Sequence, residues 1–304
     1  MFKKSWKHVG LMLVLALTLV LAACGEEDSA GDDTANEGEG NLGNKEIELV
    51  YVEWDSEIAS TNVIAQVLEE KGYDVNIRGI DNAIMWEAVA NGDADGMVAA
   101  WLPATHGDLY EQHKDNMVGL GPNLEGAKIG LVVPTYMEDV NSIADLADYT
   151  DEFGGEITGI EPGAGVVQSA EQSLEDYSLA DWTVATSSSG AMTTVLGQKY
   201  DNEEAVVVTG WTPHWKFASY DLKYLEDPEG SFGGAETIET FVREGFEADS
   251  PAAYEVLDNF FWEPADMETV MLEMSEGTDP EDAAANWIEN NRDKVDAWLE
   301  TSAE

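Results

Sequence analysis

Basic residues are scarce in this chain of 304: 14 lysines and arginines stand against 62 aspartates and glutamates, for a formal net charge of −48. Such a field repels nucleic-acid phosphates and anionic membrane surfaces, so nucleic acid is not expected as a partner. The acids are scattered rather than gathered on one helix. They read as a solvated surface adapted to salt, where screening confines self-repulsion to short range. Cysteine is nearly absent too: Cys24 stands alone, and no intramolecular disulfide can form. The four histidines, one of them in the N-terminal segment, lack metal-ligand spacing. There is no G-x-S-x-G nucleophile motif. No metal, cofactor or catalytic residue is therefore expected. Beyond the first two dozen or so residues, no apolar run is long enough to cross a bilayer.

What is present begins with the N-terminus. Lys3, Lys4 and Lys7 precede the apolar run VGLMLVLALTLVLAA, the pattern of a secretory signal. The segment ends in LAAC, which resembles the bacterial lipobox, whose cysteine becomes the new N-terminus and carries lipid. Residues 1–23 are expected to be a lipoprotein signal peptide, with Cys24 lipidated and anchoring the chain outside the cytoplasm. The stretch GEEDSAGDDTANEGEGNLGN is acidic, Gly-rich and almost without apolar residues, and residues 24–45 are expected to be a disordered tether.

From residue 46 the pattern becomes globular. IELVYVEW, YDVNIRGI and ADGMVAAW read as strands, separated by helical spacing in SEIASTNVIAQVLEEKG and NAIMWEAVANG. Asp55 or Ser56 suits the N-cap of the first helix, and Gly72 its C-terminal stop. The same β-α-β-α-β order returns in GEITGI, GVVQSAEQSLEDYS, DWTVATSS, AMTTVLGQKYDN and EEAVVVTGW. Parallel sheets with helical crossovers follow, in two similarly built α/β lobes. GAKIGLVVPTYM would carry the chain into the second lobe and residues 225–243 would bring it back, leaving helices at the C-terminus to pack on the first lobe. The expected division is 46–130 and 241–304 for lobe I and 131–240 for lobe II.

Three tryptophans fall at the carboxyl ends of strands, where open α/β sheets bind ligands. Trp54 follows the first strand of lobe I. Trp101 and Trp211 each end the third strand of a lobe, and each is followed by x-Pro and a nearby histidine. Each alone would pass for packing; at matching positions they point to a shared binding site. Indole faces suit a quaternary ammonium, which has no N–H to donate and gains roughly 2 kcal/mol or more from each desolvated cation–π contact. An apolar ligand would suit them as well. Between a strand and a helix, GIEPGAGVVQSAEQ carries Gly163 and Gly165; helix N-terminal N–H groups bind anions, and glycine admits a ligand close to the backbone. A dinucleotide loop fits poorly, since Gln168 stands where the third glycine belongs. His106 lies in the same rim loop as Trp101 and could donate to a carboxylate, with His214 a weaker counterpart. Asp55 and Glu57 read as a helix cap and a first-turn acid.

Together, VEWDSEIAS, AAWLPATH, GIEPGAGVV and VVTGWTPHW resemble the substrate-binding lipoproteins of glycine betaine ABC importers, over nearly all of the chain from residue 46. The resemblance implies a two-lobe fold like that of the periplasmic binding proteins (type II), with a hinge between the lobes. It implies a trimethylammonium group in a prism of Trp54, Trp101 and Trp211. The ligand carboxylate would be held by the backbone N–H groups of Gly165 and Val166 and by His106. The partners implied are an ABC permease with its ATPase, and the ligand glycine betaine, proline betaine, choline or carnitine. A lipid-anchored enzyme acting on a betaine-like cation, or a receptor that binds the same ligand without transport, are the alternatives.

Overall fold

A computed structural model describes residues 41–300. The expected signal peptide, Cys24 and most of the expected tether lie outside the described residues. The strands are β1 (Glu46–Tyr51), β2 (Asp74–Gly79), β3 (Gly96–Leu102), β4 (Met117–Pro134), β5 (Glu156–Thr158), β6 (Thr183–Ala185), β7 (Val208–Thr212), β8 (Leu222–Tyr224) and β9 (Glu236–Arg243). They form one sheet in the order β2-β1-β3-β9-β4-β7-β5-β6, with β8 paired to β4.

Each end of this sheet is a parallel triplet, β2-β1-β3 or β6-β5-β7. The crossovers are α1 (Asp55–Lys71) and α2 (Asn82–Asn91) in the first lobe, and α5 (Gly165–Asp176) and α6 (Ser189–Asp201) in the second. The intervening short helices are α3 (Gly107–His113) and α4 (Thr150–Phe153). The repeated β-α-β-α-β order of the sequence is thus two copies of one arrangement. The run GMVAAWL is buried at every position because β3 lies inside the sheet, between β1 and β9. Edge strand β2, DVNIRG, has no fully buried residue. Gly72 stops α1 in the left-handed region at φ 110°, which a side chain would strain.

β4 joins the lobes. Its first part pairs antiparallel with β9 as far as Ala127, and from Lys128 it pairs with β7. The sequence reading begins this crossing at residue 126; the strand begins earlier, at Met117. Three register shifts bend the strand there, and Gly121 and Gly126 take positive φ. After α7 (Lys216–Ser219), the chain returns through β9. It then forms α8 (Phe246–Asp249), α9 (Pro251–Asn259), α10 (Pro264–Ser275), α11 (Pro280–Asn290) and α12 (Arg292–Leu299). Helices α9 to α12 pack on α1. Trp86, Trp182, Trp262, Trp287 and Trp298 are buried in packing roles.

Residues 42–44 correct the expected extent of the tether. Leu42 is buried and its carbonyl accepts the Tyr73 hydroxyl (2.9 Å); Asn44 donates its N–H to the Asp249 carbonyl (2.7 Å). Composition alone hides this, since one leucine supplies the apolar anchor.

Candidate ligand-binding site

The carboxyl ends of β1 and β3 face those of β5 and β7 across a cavity of about 280 Å³, mouth included. Trp54, Trp101 and Thr105 supply one side of its wall; Ile160, Ala164, Gly165, Val166 and Trp211 supply the other. The wall thus joins residues as far apart in sequence as 54 and 211, and the three indoles are only 2% to 5% exposed.

Each tryptophan reaches the wall by a local device. β1 ends at Tyr51, and Trp54 is the N-cap of α1, with extended backbone and its carbonyl accepting from the Ile58 N–H (2.9 Å). A serine, threonine or aspartate would normally stand there and cap the helix with its side chain. This helix has no side-chain cap, and the position carries an indole instead. Trp101 lies opposite Ile238 of β9; Trp211 lies opposite Ile129 of β4, which also lines the cavity. Beyond β3, the Glu236 carboxylate accepts the N–H groups of Ala104 (2.8 Å) and Thr105 (2.7 Å) and the Thr105 hydroxyl. This fixes the loop that carries Thr105 into the wall.

Gly165 and Val166 are the first two residues of α5, so their N–H groups have no intrahelical acceptor. The N-cap is Ala164, which has no side-chain oxygen to offer them. A helix end with its positive partial charge uncapped therefore opens into an otherwise apolar cavity, a place suited to a carboxylate. A Cβ on Gly165 would sit 2.2 Å from the Thr105 carbonyl oxygen, so only glycine allows this approach between the lobes.

His106 is near the site but does not line the cavity. Its ring is buried and stacked on Trp54, 5.8 Å between centroids and 28° between planes. Nδ1 accepts the Trp101 N–H (3.1 Å), so the neutral ring carries its proton on Nε2, which has no partner among the described residues. Burial pushes its pKa down to about 3, so the ring is neutral at physiological pH. His214 is the counterpart beside Trp211, edge-on at 4.6 Å, with Nδ1 accepting the Lys216 N–H (3.1 Å). The Lys216 amine lies 4.2 Å from the centre of the Trp211 ring with no hydrogen-bond partner among the described residues, and burial holds its pKa well below that of an ordinary lysine.

Asp55 requires correction, since it does not cap α1 but is its first residue. Glu57 is an acid of the first turn, as read from the sequence, but it is not a solvated one. Glu57 has no exposed surface; it accepts the Trp101 indole N–H (2.6 Å) and the Ser56 hydroxyl (2.5 Å). Burial pushes its pKa up to about 7, against the lowering effect of these donors. Asp55 accepts the Trp215 indole N–H (2.9 Å) and the Ser189 hydroxyl (2.8 Å), with His214 Nε2 at 3.6 Å. Burial alone would raise its pKa, but the nearby His214 and the hydrogen bonds from Ser189 and Trp215 outweigh burial and hold it well below the usual carboxylate range. Glu161, in the loop before α5, accepts the Trp54 indole N–H. Glu161, Glu236 and Ser189 carry no signal in the sequence, since their partners lie more than a hundred positions away.

Comparisons with known proteins bear on this site. Residues 45–290 match the family model OpuAC, the substrate-binding domain of ABC-type glycine betaine transport systems. The glycine betaine/carnitine transport binding protein GbuC of Listeria monocytogenes is 48% identical over 155 residues, 50% of this chain and 52% of GbuC. The chain thus spans about half the length of that relative. Lactococcal OpuAC in its closed form with glycine betaine is similar at TM-score 0.81 and 51% identity, over 84% of this chain and 100% of that one. The ProX protein of Borrelia burgdorferi, described as glycine/betaine/L-proline-binding, gives TM-score 0.81 and 35% identity over 84% and 97%. An ABC-transporter choline binding protein in complex with choline gives TM-score 0.78 and 26% identity over 84% and 91%.

Proposed function

Since the chain belongs to the family of substrate-binding domains of ABC-type glycine betaine transport systems, we propose that it captures glycine betaine or a related quaternary ammonium compound between its lobes and delivers it to an ABC permease driven by a separate ATPase. The observation that carries this reading is the meeting of Trp54, Trp101 and Trp211 with the uncapped start of α5 in one cavity. Ligand cation and ligand carboxylate each find the chemistry that suits them. Trimethylammonium offers no N–H, so π faces rather than oxygen acceptors hold it, at roughly 2 kcal/mol for each desolvated contact. The carboxylate takes the N–H groups of Gly165 and Val166; the His106 ring, stacked on Trp54 behind the cavity wall, would have to turn toward the cavity for its Nε2–H to serve as the third donor. Because Trp54, Trp101 and His106 belong to one lobe and Trp211, Gly165 and Val166 to the other, the bound ligand stabilises the closed state. The ligand leaves unchanged: the chain acts as a carrier, held outside the cytoplasm by lipid on Cys24.

Titration calorimetry tests this. Glycine betaine binds the wild type and fails to bind Trp211→Ala, whose circular dichroism is unchanged. The carbon isostere 3,3-dimethylbutanoate keeps the shape and the carboxylate but loses the positive charge, and binds at least tenfold more weakly. Equal binding of the two compounds, or wild-type affinity in Trp211→Ala, refutes the cation cage.

A further inference from the structure

Two of the indole–carboxylate hydrogen bonds cross the cleft, in opposite directions. Trp54, a cage wall in the first lobe, donates to Glu161 of the second. Trp215 of the second lobe donates to Asp55, the first residue of α1 in the first lobe (2.9 Å). Asp55 also accepts the Ser189 hydroxyl (2.8 Å), and His214 Nε2 stands 3.6 Å away. All three groups around Asp55 belong to the second lobe, so none is in place when the lobes part. Neither carboxylate is among the residues lining the cavity. Each acts through a ring: Glu161 through Trp54, and Asp55 through His214, which lies edge-on against Trp211 at 4.6 Å.

We infer that Glu161 and Asp55 are positioning residues that form a crossed latch, which sets how long the lobes stay closed on a quaternary ammonium ligand. The inference rests on the reading above and adds to it the residues that govern release. The latch is gated by the ligand's charge. Closure brings Glu161 of the second lobe toward the cavity wall that Asp55 and the buried Glu57 of α1 already flank, and like charges oppose that approach. A cation in the cage offsets the repulsion, so the latch engages when betaine is present. An indole whose N–H is held by an anion also keeps its face more negative, which strengthens its hold on the cation. A latch made only in the closed state slows dissociation and leaves association unchanged.

Stopped-flow tryptophan fluorescence with glycine betaine measures both rates, and small-angle scattering at saturating ligand measures closure. In Glu161→Ala and Asp55→Asn the dissociation rate rises about tenfold or more, the size expected for losing a hydrogen bond to a charged group. The association rate stays within about twofold, and the radius of gyration at saturation lies above that of the wild type. Glu161→Gln, which keeps an acceptor oxygen, falls between. Trp215→Phe, in the opposite lobe, removes the N–H donor together with the second ring of the indole and keeps an aromatic face, so it tests the Asp55 arm should Asp55→Asn fold poorly by circular dichroism. Wild-type dissociation in Glu161→Ala and Trp215→Phe overturns the latch while leaving the binding site intact, as does a loss confined to association. Absence of betaine binding to the wild type overturns the proposed function and the latch together.

Discussion

Glu57 sits with no surface exposed beneath the indole of Trp101, and its proton makes a pH-dependent contribution that can be isolated. Its ordinary pKa of 4.5 is raised to about 7 in the fold, chiefly by burial. The folded chain therefore binds more protons than the unfolded one between these values. The stability contributed is complete below about 4.5 and is lost as the pH rises through about 7, on the order of 3 kcal/mol in all. His106 and His214 act in the opposite sense: their pKa values are lowered from 6.5 to about 3 and about 4, so their contribution is present above 6.5 and lost as the pH falls. Because these effects overlap, the wild-type profile alone does not isolate Glu57, but comparison with Glu57→Gln does. The melting temperature of Glu57→Gln relative to the wild type rises between pH 5 and pH 8, read by calorimetry. A difference that does not vary with pH would show that Glu57 keeps one protonation state throughout.

At the scale of the element, the start of α5 is the most constrained piece of the site. Gly163 takes positive φ (91°) to turn the chain into the helix, and Gly165 lacks the Cβ that would strike the Thr105 carbonyl at 2.2 Å. That clash is between lobes, not within the fold of either. Gly165→Ala is therefore expected to keep its melting temperature within a few degrees while losing betaine affinity by tenfold or more, measured by calorimetry, because the lobes stop short of closure. This element was partly legible. GAG between strand and helix announces a place where a ligand meets backbone, for a local reason: glycines and a helix start are neighbours in sequence. The partner that makes Gly165 necessary is Thr105, 60 positions earlier, and only the folded chain brings it there.

For the whole molecule, charge exerts an influence that no single contact expresses. With a formal net charge of −48, self-repulsion favours expansion, and salt weakens it. The melting temperature of the wild type is expected to rise by several degrees between about 50 mM and 1 M sodium chloride, where the screening length falls from more than 10 Å to about 3 Å. Arg243, which bridges Asp95 of the first lobe (2.8 Å) and Asp249 (2.7 Å), opposes this trend locally, and Arg243→Gln steepens the salt dependence. Melting temperatures that fall with salt in both proteins would refute the surface-repulsion account.

The sequence by itself determined the two α/β lobes, the three tryptophans at strand ends, the glycine-flanked helix start and the family. The first three follow from patterns within a few residues, namely apolar periodicity, glycines and the W-x-P repeat; the family rests on the likeness of four short motifs to those of known proteins. The tertiary structure alone decided what stands behind the tryptophans. Asp55 and Glu57 read locally as helix-start acids, and become hydrogen-bond acceptors for Trp215 and Trp101 only because distant segments converge on them. It also decided that β4 begins at Met117 rather than near residue 126, since partners on β9 hold VGLGPNLEG extended despite its glycines and proline. The physical reason is the same in each case: backbone geometry is set largely by neighbours in sequence, while the state of a buried charge is set by whatever the fold places against it.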